Sequence, residues 1–460
     1  MNLRRWLTVG IGVKRWLLIA FAGLLVLAVG VAHFLRQVTS DLDPRSAAMS
    51  LIDILTLQFL PFNVRGLTAA VLGVGLFGIG AYKLVRALVD PFALWDRDQP
   101  MVEVIYQKRF LARGPRVVAI GGGTGLSTLL RGLKEHTSNL TAVVTVADDG
   151  GSSGVLRAEL GIPAVGDIRN CIVALADAEP LMARLLQYRF PGTEREGPDE
   201  PGLPPLRDAE ELSVGLGGHA VGNLLLAALV ELEDGDFEEA VREMNRVLAV
   251  RGRVVPASGT VLTLCASLRD GTEIEGQSRI ARTGDVEKVW IRPDTVRATD
   301  DAVAAIGEAD IVVIGPGSLY TSILPALLVP GIAEAIEQSG ALVVFACNVA
   351  TQPGETGGLD LADHVDALGR HGLAQLPDIV LANNRFDAAM PEGAPGEPVR
   401  LRWPPSSTGP GGPRLVLDDV VDPENAHHHD PLRLAAAILG VWAREGGRRR
   451  LAATRATRAS

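Results

Sequence analysis

The residues best placed to do chemistry are Gly121, Gly122, Gly123, Thr124 and Gly125, which end an apolar, strand-like run at 116–120 and open a helical pattern at once. Without Cβ atoms the backbone amides of such a loop approach a ligand closely, and the helix that follows offers its positive N-terminus. Thr124 adds a hydroxyl donor. The dinucleotide fingerprint is met only in part, because Leu126 stands where its third glycine would be, so taken alone the loop is equally a tight strand-to-helix turn. A second apolar run, 141–147, ends in Asp148, Asp149, Gly150, Gly151, Ser152, Ser153 and Gly154. Two adjacent carboxylates beside a phosphate repel it unless they hold hydroxyls or a bridging cation, and Mg²⁺ is the natural choice because it takes oxygen ligands shared with phosphates. Asp148 and Asp149 are therefore the candidate metal ligands and the candidate catalytic groups, with a polar turn held by Asx hydrogen bonds as the structural alternative.

Further along, Gly166-Asp167-Ile168-Arg169-Asn170 places an acid, a base and an amide in a short loop before another helix. Arg169 can neutralise phosphate charge, and Asp167 is either a metal ligand or a helix cap. Gly217 to Asn223 precedes the apolar run LLLAALVELE, with His219 as a binding or structural residue and Asn223 as a ligand contact or helix polar group. A third candidate anion loop follows the run 310–314, with Gly317, Ser318 and Tyr320 as donors. Consecutive His427, His428 and His429 cannot easily all face one ion, and no hydrolytic triad or zinc-deaminase spacing is present.

These loops need a scaffold that brings strand ends together. Strand-like runs at 116–120, 141–147, 310–314, 341–347 and 378–382, with helical runs between several of them, predict an α/β, Rossmann-like fold with a mainly parallel sheet and helices on both faces. Between 252 and 292 short alternating runs predict a small antiparallel excursion. The segments 191–211 and 387–413 are rich in proline and charge and are expected to be mobile surface loops. Asp430 as N-cap and Pro431 at the first helical position predict a last helix, followed over 447–460 by a basic, disordered tail.

The chain has 460 residues, 47% of them hydrophobic, and a net charge of −10, which argues against nucleic-acid binding. Residues 16–35 carry no formal charge and as a helix would span about 30 Å, and a second uncharged run covers 66–82. Arg4, Arg5, Lys14 and Arg15 precede the first run, and Lys83 and Arg86 follow the second. The expectation is a two-helix transmembrane hairpin with both termini and the main domain cytoplasmic. That divides the chain into a hairpin and connector (1–110), a nucleotide-binding domain (111–446) and the tail. The three cysteines, Cys171, Cys265 and Cys347, lie far apart in apolar surroundings and are expected to be reduced and buried.

VVAIGGGTGLSTLLRGLK, ADDGGSSGVLR, GDIRN, GHAVGNL, GPGSLYTSILPALLVPGI and CNVATQPGET, in that order, resemble the gluconeogenesis-factor family, also called YvcK-like, within the 2-phospho-L-lactate transferase (CofD-like) superfamily. The resemblance runs from about 117 to 384. It implies a Rossmann-like fold and, on the gluconeogenesis-factor side, binding of UDP-sugars such as UDP-N-acetylglucosamine and a role in cell shape and carbon-source adaptation. On the transferase side it implies Mg²⁺-dependent transfer of a phospholactyl group to a deazaflavin alcohol. The residues it carries over are the glycine loop with Thr124, Asp148, Asp149 and Asn223, and less directly Arg169, Ser318 and Tyr320; Gly150, Ser152, Asp167, Asn170, His219 and Gly317 join them as candidate ligand contacts from their loops alone.

The leading expectation is a membrane-anchored, UDP-sugar-binding regulatory protein with no tightly bound organic cofactor. The transferase is the alternative, self-association stays open, and a nicotinamide dehydrogenase ranks last because the third glycine is missing.

Overall fold

Unbroken apolar runs, unlike alternating ones, mark strands covered on both faces, and five such runs form the centre of this molecule. In the computed structural model, residue 61 and residues 111–176, 180–191, 215–388, 396–409 and 411–459 are described. Strands β1 (Val117–Gly121), β2 (Leu140–Val144), β3 (Arg253–Pro256), β7 (Ile311–Ile314), β8 (Leu342–Ala346), β9 (Ile379–Asn383) and β10 (Arg414–Asp418) make one sheet, ordered β10-β9-β8-β7-β1-β2-β3. Every pairing in it is parallel. All residues of β1, β2, β7, β8 and β9 are buried.

The helices between the strands are, in order, α1 (Gly123–Leu133), α2 (Gly151–Leu160), α3 (Gly166–Leu175), α4 (Pro180–Gln187), α5 (Val221–Leu232), α6 (Phe237–Val247), α7 (Gln277–Thr283), α8 (Asp300–Gly307), α9 (Leu324–Leu327), α10 (Ile332–Gln338), α11 (Leu361–Arg370) and α12 (Pro431–Ala459). In α1 the buried residues Leu126, Leu129, Leu130 and Leu133 recur at helical spacing and pack between α3 and α12. Burying each such side chain contributes about 1.5–3 kcal/mol. From β1 the chain moves outward through β2 to β3, then returns to β7 on the other side of β1 and continues outward through β10. The C-terminal ends of β1 and β7 therefore flank a topological switch point, where open α/β sheets hold ligands.

Several expectations need correction. The excursion is smaller than 252–292: β4 (Thr263–Leu268), β5 (Glu273–Glu275) and β6 (Val286–Arg292) form an antiparallel sheet in the order β5-β4-β6, whereas Arg253–Pro256 extends the main sheet as its edge. The described residues of 387–413 are pinned rather than loose. Arg402 pairs with Asp360 and Asp363, and the amides of Ser406 and Ser407 donate to Asp366, so one acidic face of α11 supplies the acceptors. The tail expected to be irregular from 447 stays helical to Ala459, consistent with its Ala-, Leu- and Arg-rich composition. The expected cap holds: Asp430 Oδ1 accepts from the amides of Leu432 and Arg433 at 2.9 Å each. All three cysteines are buried and free.

The hairpin runs 16–35 and 66–82 and nearly all of the loop 191–211 lie outside the described residues. Among the described residues no single helix is long and apolar enough to cross a membrane; one bent pair, Leu319–Leu327 with Ile332–Gln338, passes by length and composition. Its residues Leu319, Ile323, Leu324, Leu327, Ile332 and Ile336 are buried in the core.

Candidate functional site

The first loop is shaped by what a side chain would strike. Gly123 sits at φ +65°, a left-handed conformation that glycine adopts without strain. Gly122 is extended, but a Cβ there would lie 2.4 Å from Asp167 Oδ2 and 2.7 Å from Thr145 Cγ2. A Cβ on Gly125 would lie 2.7 Å from the Pro316 carbonyl oxygen and 2.9 Å from Gly317 N. The loops of β1 and β7 thus close against each other across the switch point. Both α1 and α2 begin at glycine N-caps, Gly122 and Gly150, which have no side chain to cap the first turn; of the amides there, Gly123 donates to Asp167 and Gly150 to Asp148. Thr124 is exposed beside them.

Beneath these helix starts lie two carboxyls and a guanidinium. Burial raises the pKa of Asp148, opposed by hydrogen bonds from the Gly150 amide, 3.0 Å from Oδ1, and the Ser153 hydroxyl; the Asp149 charge raises it further and Arg169 lowers it. Asp167 is pushed up to about 7, chiefly by burial and then by the Asp148 charge, while the Gly123 amide and Arg169 pull the other way. The Asp148 charge thus acts on Asp167 as well as feeling that of its neighbour Asp149, which adds a third carboxyl to the pair expected from sequence. Asp149 itself turns to the excursion: its Oδ1 accepts from Ser278 N at 2.8 Å, and a Cβ on Gly276 would meet its Oδ2 at 2.7 Å.

Arg169 is 9% exposed and anchors a buried polar chain. Its Nη1 donates to Asn223 Oδ1 at 3.0 Å and its Nη2 to Asn170 Oδ1 at 2.8 Å. Asn223 Nδ2 donates to Ser152 Oγ at 3.0 Å, and Ser152 Oγ lies 3.0 Å from His219 Nδ1. Arg169 Nε is buried without a partner among the described residues. Burial and the Arg189 charge lower the pKa of Arg169, while Asp167 and Asp148 support its cationic form. Five residues singled out separately along the chain, Ser152, Arg169, Asn170, His219 and Asn223, therefore form one network.

The third loop departs from expectation. Gly317 N donates to Asn348 Oδ1 at 3.2 Å, and Asn348 Nδ2 donates back to Gly317 O at 2.8 Å. The Ser318 side chain bonds to Glu355. Tyr320 is 1% exposed, with its hydroxyl accepting from Arg370 Nη2 at 2.7 Å. The Gly317 and Ser318 donors of this loop are thus taken by the protein itself, and the Tyr320 hydroxyl is buried against Arg370. Asn348 and Glu355 were missed as individual residues; both sit in the CNVATQPGET segment, where a lone Asn and a lone Glu in a loop carry no spacing signal.

Among the described residues no group of three or more His, Cys, Asp or Glu gathers to hold a metal. Asp148 and Asp167 fit a more modest part, since Mg²⁺ is often held by one or two carboxylates and completes its shell with phosphates and water. On the same edge of the sheet, after β9 and β10, an open groove of about 770 Å³ is lined by Asn384, Arg385, Phe386, Asp387 and Asp419. Phe386 is 51% exposed there. A second groove of about 450 Å³ runs along the β3 edge between Arg242, Arg246 and Arg253, away from the glycine loops.

The profile of the 2-phospho-L-lactate transferase CofD family matches residues 117–394. A gluconeogenesis factor from Bacillus subtilis is 46% identical over 343 residues, covering 72% of this chain and 99% of its own length. A relative from Nostoc sp. is 40% identical over 446 residues, 95% of this chain and 91% of its own. The crystal structure of a Bacillus halodurans protein covers 71% of this chain and all of its own, at 41% identity and a TM-score of 0.62. With glycine-loop, Asp-Asp-Gly-Gly and Gly-Asp-Ile-Arg-Asn segments gathered at one switch point and relatives that align along nearly their whole length, the chain belongs to the gluconeogenesis-factor (YvcK-like) family, within the CofD-like superfamily.

Proposed function

We propose that the protein binds a nucleotide sugar, with UDP-N-acetylglucosamine as the first candidate, and acts as a regulatory sensor held at the membrane by its N-terminal hairpin, in control of cell shape and carbon-source use. The observation that carries the ligand class is Arg169. A guanidinium nine-tenths buried, with Nε unpartnered among the described residues and two helix starts with glycine N-caps nearby, calls for an anion with several acceptor oxygens. A diphosphate meets that need. Neighbouring strands lie about 4.8 Å apart, so the β9 and β10 ends, three and four strands from β1, are on the order of 14 and 19 Å from the β1 loop, within reach of the rest of such a ligand. The exposed Phe386 ring offers a face for a base or sugar. Asp148 and Asp167 would be the residues to hold a Mg²⁺, which would offset the excess negative charge; Asp167 would then have to be ionised, a form the Arg169 charge favours.

One observation favours a second reading, transfer of a phosphate-linked group from an activated nucleotide to an acceptor hydroxyl. A carboxyl brought to about 7 is matched to accepting a proton at neutral pH. In that case the acceptor hydroxyl attacks phosphorus, its proton passes to Asp167, and the nucleotide portion leaves with the bonding electron pair.

Titration of the full-length protein with UDP-N-acetylglucosamine, with and without Mg²⁺, separates the two. Binding that is lost in Asp148→Ala, with no product formed, supports the sensor. Consumption of the ligand in the presence of an acceptor alcohol supports the transferase, and absence of binding by any nucleotide-linked ligand refutes both.

A further inference from the structure

Donors of the turn that follows β7 converge on one side chain from a different loop. Glu355 is 7% exposed, and its Oε1 accepts from Tyr320 N at 2.7 Å and Thr321 N at 2.9 Å. The Thr321 hydroxyl lies 3.1 Å from Oε2, and the Ser318 hydroxyl also bonds to the carboxylate. Leu319–Ile323 forms a π-helical turn, an element often found at functional sites. Its leading amides have no acceptor within their own helix, and the Glu355 carboxylate takes two of them.

The loop that delivers Glu355 is itself braced. Thr356 N donates to Gln352 O at 2.8 Å, and Gln352 N donates to Thr356 Oγ1 at 2.9 Å. Gly354 is pressed against the excursion: its carbonyl accepts from Gly284 N at 2.8 Å, and a Cβ on it would meet Ala281 O at 2.6 Å. The opposite side of the β7 loop leaves equally little slack. A Cβ on Gly317 would lie 3.1 Å from Gly122 O, and Gly125 rests on Pro316 and Gly317.

We infer that Glu355 is the positioning residue of the candidate site: its carboxylate fills the amide nest after β7 as a built-in anion, fixing the turn against which the β1 glycine loop is held for its ligand. The inference rests on the ligand-binding reading above and deepens it. Glu355 stays out of reach of ligand and acts through the backbone of Gly315–Ile323. Because both amides point at one oxygen, a carboxamide keeps them satisfied, and Thr321 reverses its hydroxyl to accept from the new amide group. Geometry, not charge, is what the turn requires. Burial raises the Glu355 pKa, and the four donors offset that rise only in part.

The test compares full-length wild type, Glu355→Gln and Glu355→Ala by calorimetric titration with UDP-N-acetylglucosamine and by hydrogen exchange of the peptide spanning 316–323. Glu355→Ala is expected to weaken binding by about tenfold or more and to speed exchange at Tyr320 and Thr321, as follows from leaving buried amides unpaired. Glu355→Gln is expected to bind within about threefold of wild type, with slow exchange restored. If Glu355→Ala does not fold, Thr321→Val, which removes one donor hydroxyl, is expected to show the same changes in milder form. Wild-type affinity in Glu355→Ala, unchanged exchange in the turn, or a glutamine variant as impaired as alanine overturns the inference. A wild type that binds no nucleotide sugar overturns the ligand reading instead, and the exchange arm then decides on its own whether Glu355 holds the turn.

Discussion

Replacing Asp167 by Asn should make the protein more stable and less functional at once. The carboxyl titrates at about 7 in the fold against 3.8 when free, a rise of about three units. At 1.36 kcal/mol per unit, the ionised form carries about 4 kcal/mol of strain as a ceiling. The Asp167 residue remains partly solvent-accessible, so about 2 kcal/mol is the working figure. The sign follows from linkage. Below pH 3.8 both states are protonated and nothing is lost; between 3.8 and 7 the unfolded chain releases a proton that the fold retains, and stability falls to its low plateau above 7. Asn removes the charge while its Oδ1 still accepts from the Gly123 amide. Thermal unfolding at pH 8 should therefore show Asp167→Asn a few degrees above wild type, with the gap closing towards pH 4. Calorimetry at pH 8 should show weaker nucleotide-sugar binding and loss of its Mg²⁺ dependence. A variant less stable than wild type at pH 8, or a gap that does not change with pH, refutes the reasoning.

Other outcomes follow from the same geometry. Gly125→Ala puts a methyl 2.7 Å from the Pro316 carbonyl oxygen and should cost about 1–3 kcal/mol and impair binding. Gly132→Ala, whose methyl would lie 1.8 Å from Pro431 O where α1 meets α12, should destabilise at least as much in denaturant melts yet leave the affinity of the folded protein unchanged. Asp149→Ala should loosen the Ser278 contact and change Kd by less than about threefold, whereas Asp148→Ala should lose binding with or without Mg²⁺. His429 is buried, with Nε2 3.2 Å from Cys347 O and its pKa lowered to about 4, so it stays neutral in the fold. As pH falls from 6.5 to 4 the unfolded state alone takes up the proton, and about 3 kcal/mol of stability is lost. Unfolding free energies measured across that window should fall less steeply in His429→Gln.

The fold was legible where burial is symmetrical. β1, β2, β7, β8 and β9 were predicted within a few residues because strands covered on both faces read as uninterrupted apolar runs. β3 and β10 escaped because both are sheet edges: β3 has four residues beginning with Arg253 and ending in Pro256, and β10 is only partly buried and adjoins the proline-rich segment. The candidate site was legible as local patterns, namely glycines, adjacent acids and the Asp167 to Asn170 run. What sequence could not supply was pairing across the fold. The Asp148 charge acts on Asp167, 19 residues further along, and Ser318 faces a carboxylate 37 residues further along. A loop rich in glycine and hydroxyls looks the same whether its anion is a ligand or Glu355.

In the proposed function Arg169 receives the phosphates of a nucleotide sugar at the β1–β2 loops. The most direct test of that role is calorimetric titration of full-length wild type and Arg169→Met with UDP-N-acetylglucosamine, in the presence and absence of Mg²⁺. Saturable binding by wild type, tighter with Mg²⁺ and lost in a folded Arg169→Met protein, is the predicted result; a hundredfold excess of ligand over Kd should then stabilise the wild type by about 2.7 kcal/mol. No binding by wild type, or equal binding by Arg169→Met, contradicts it.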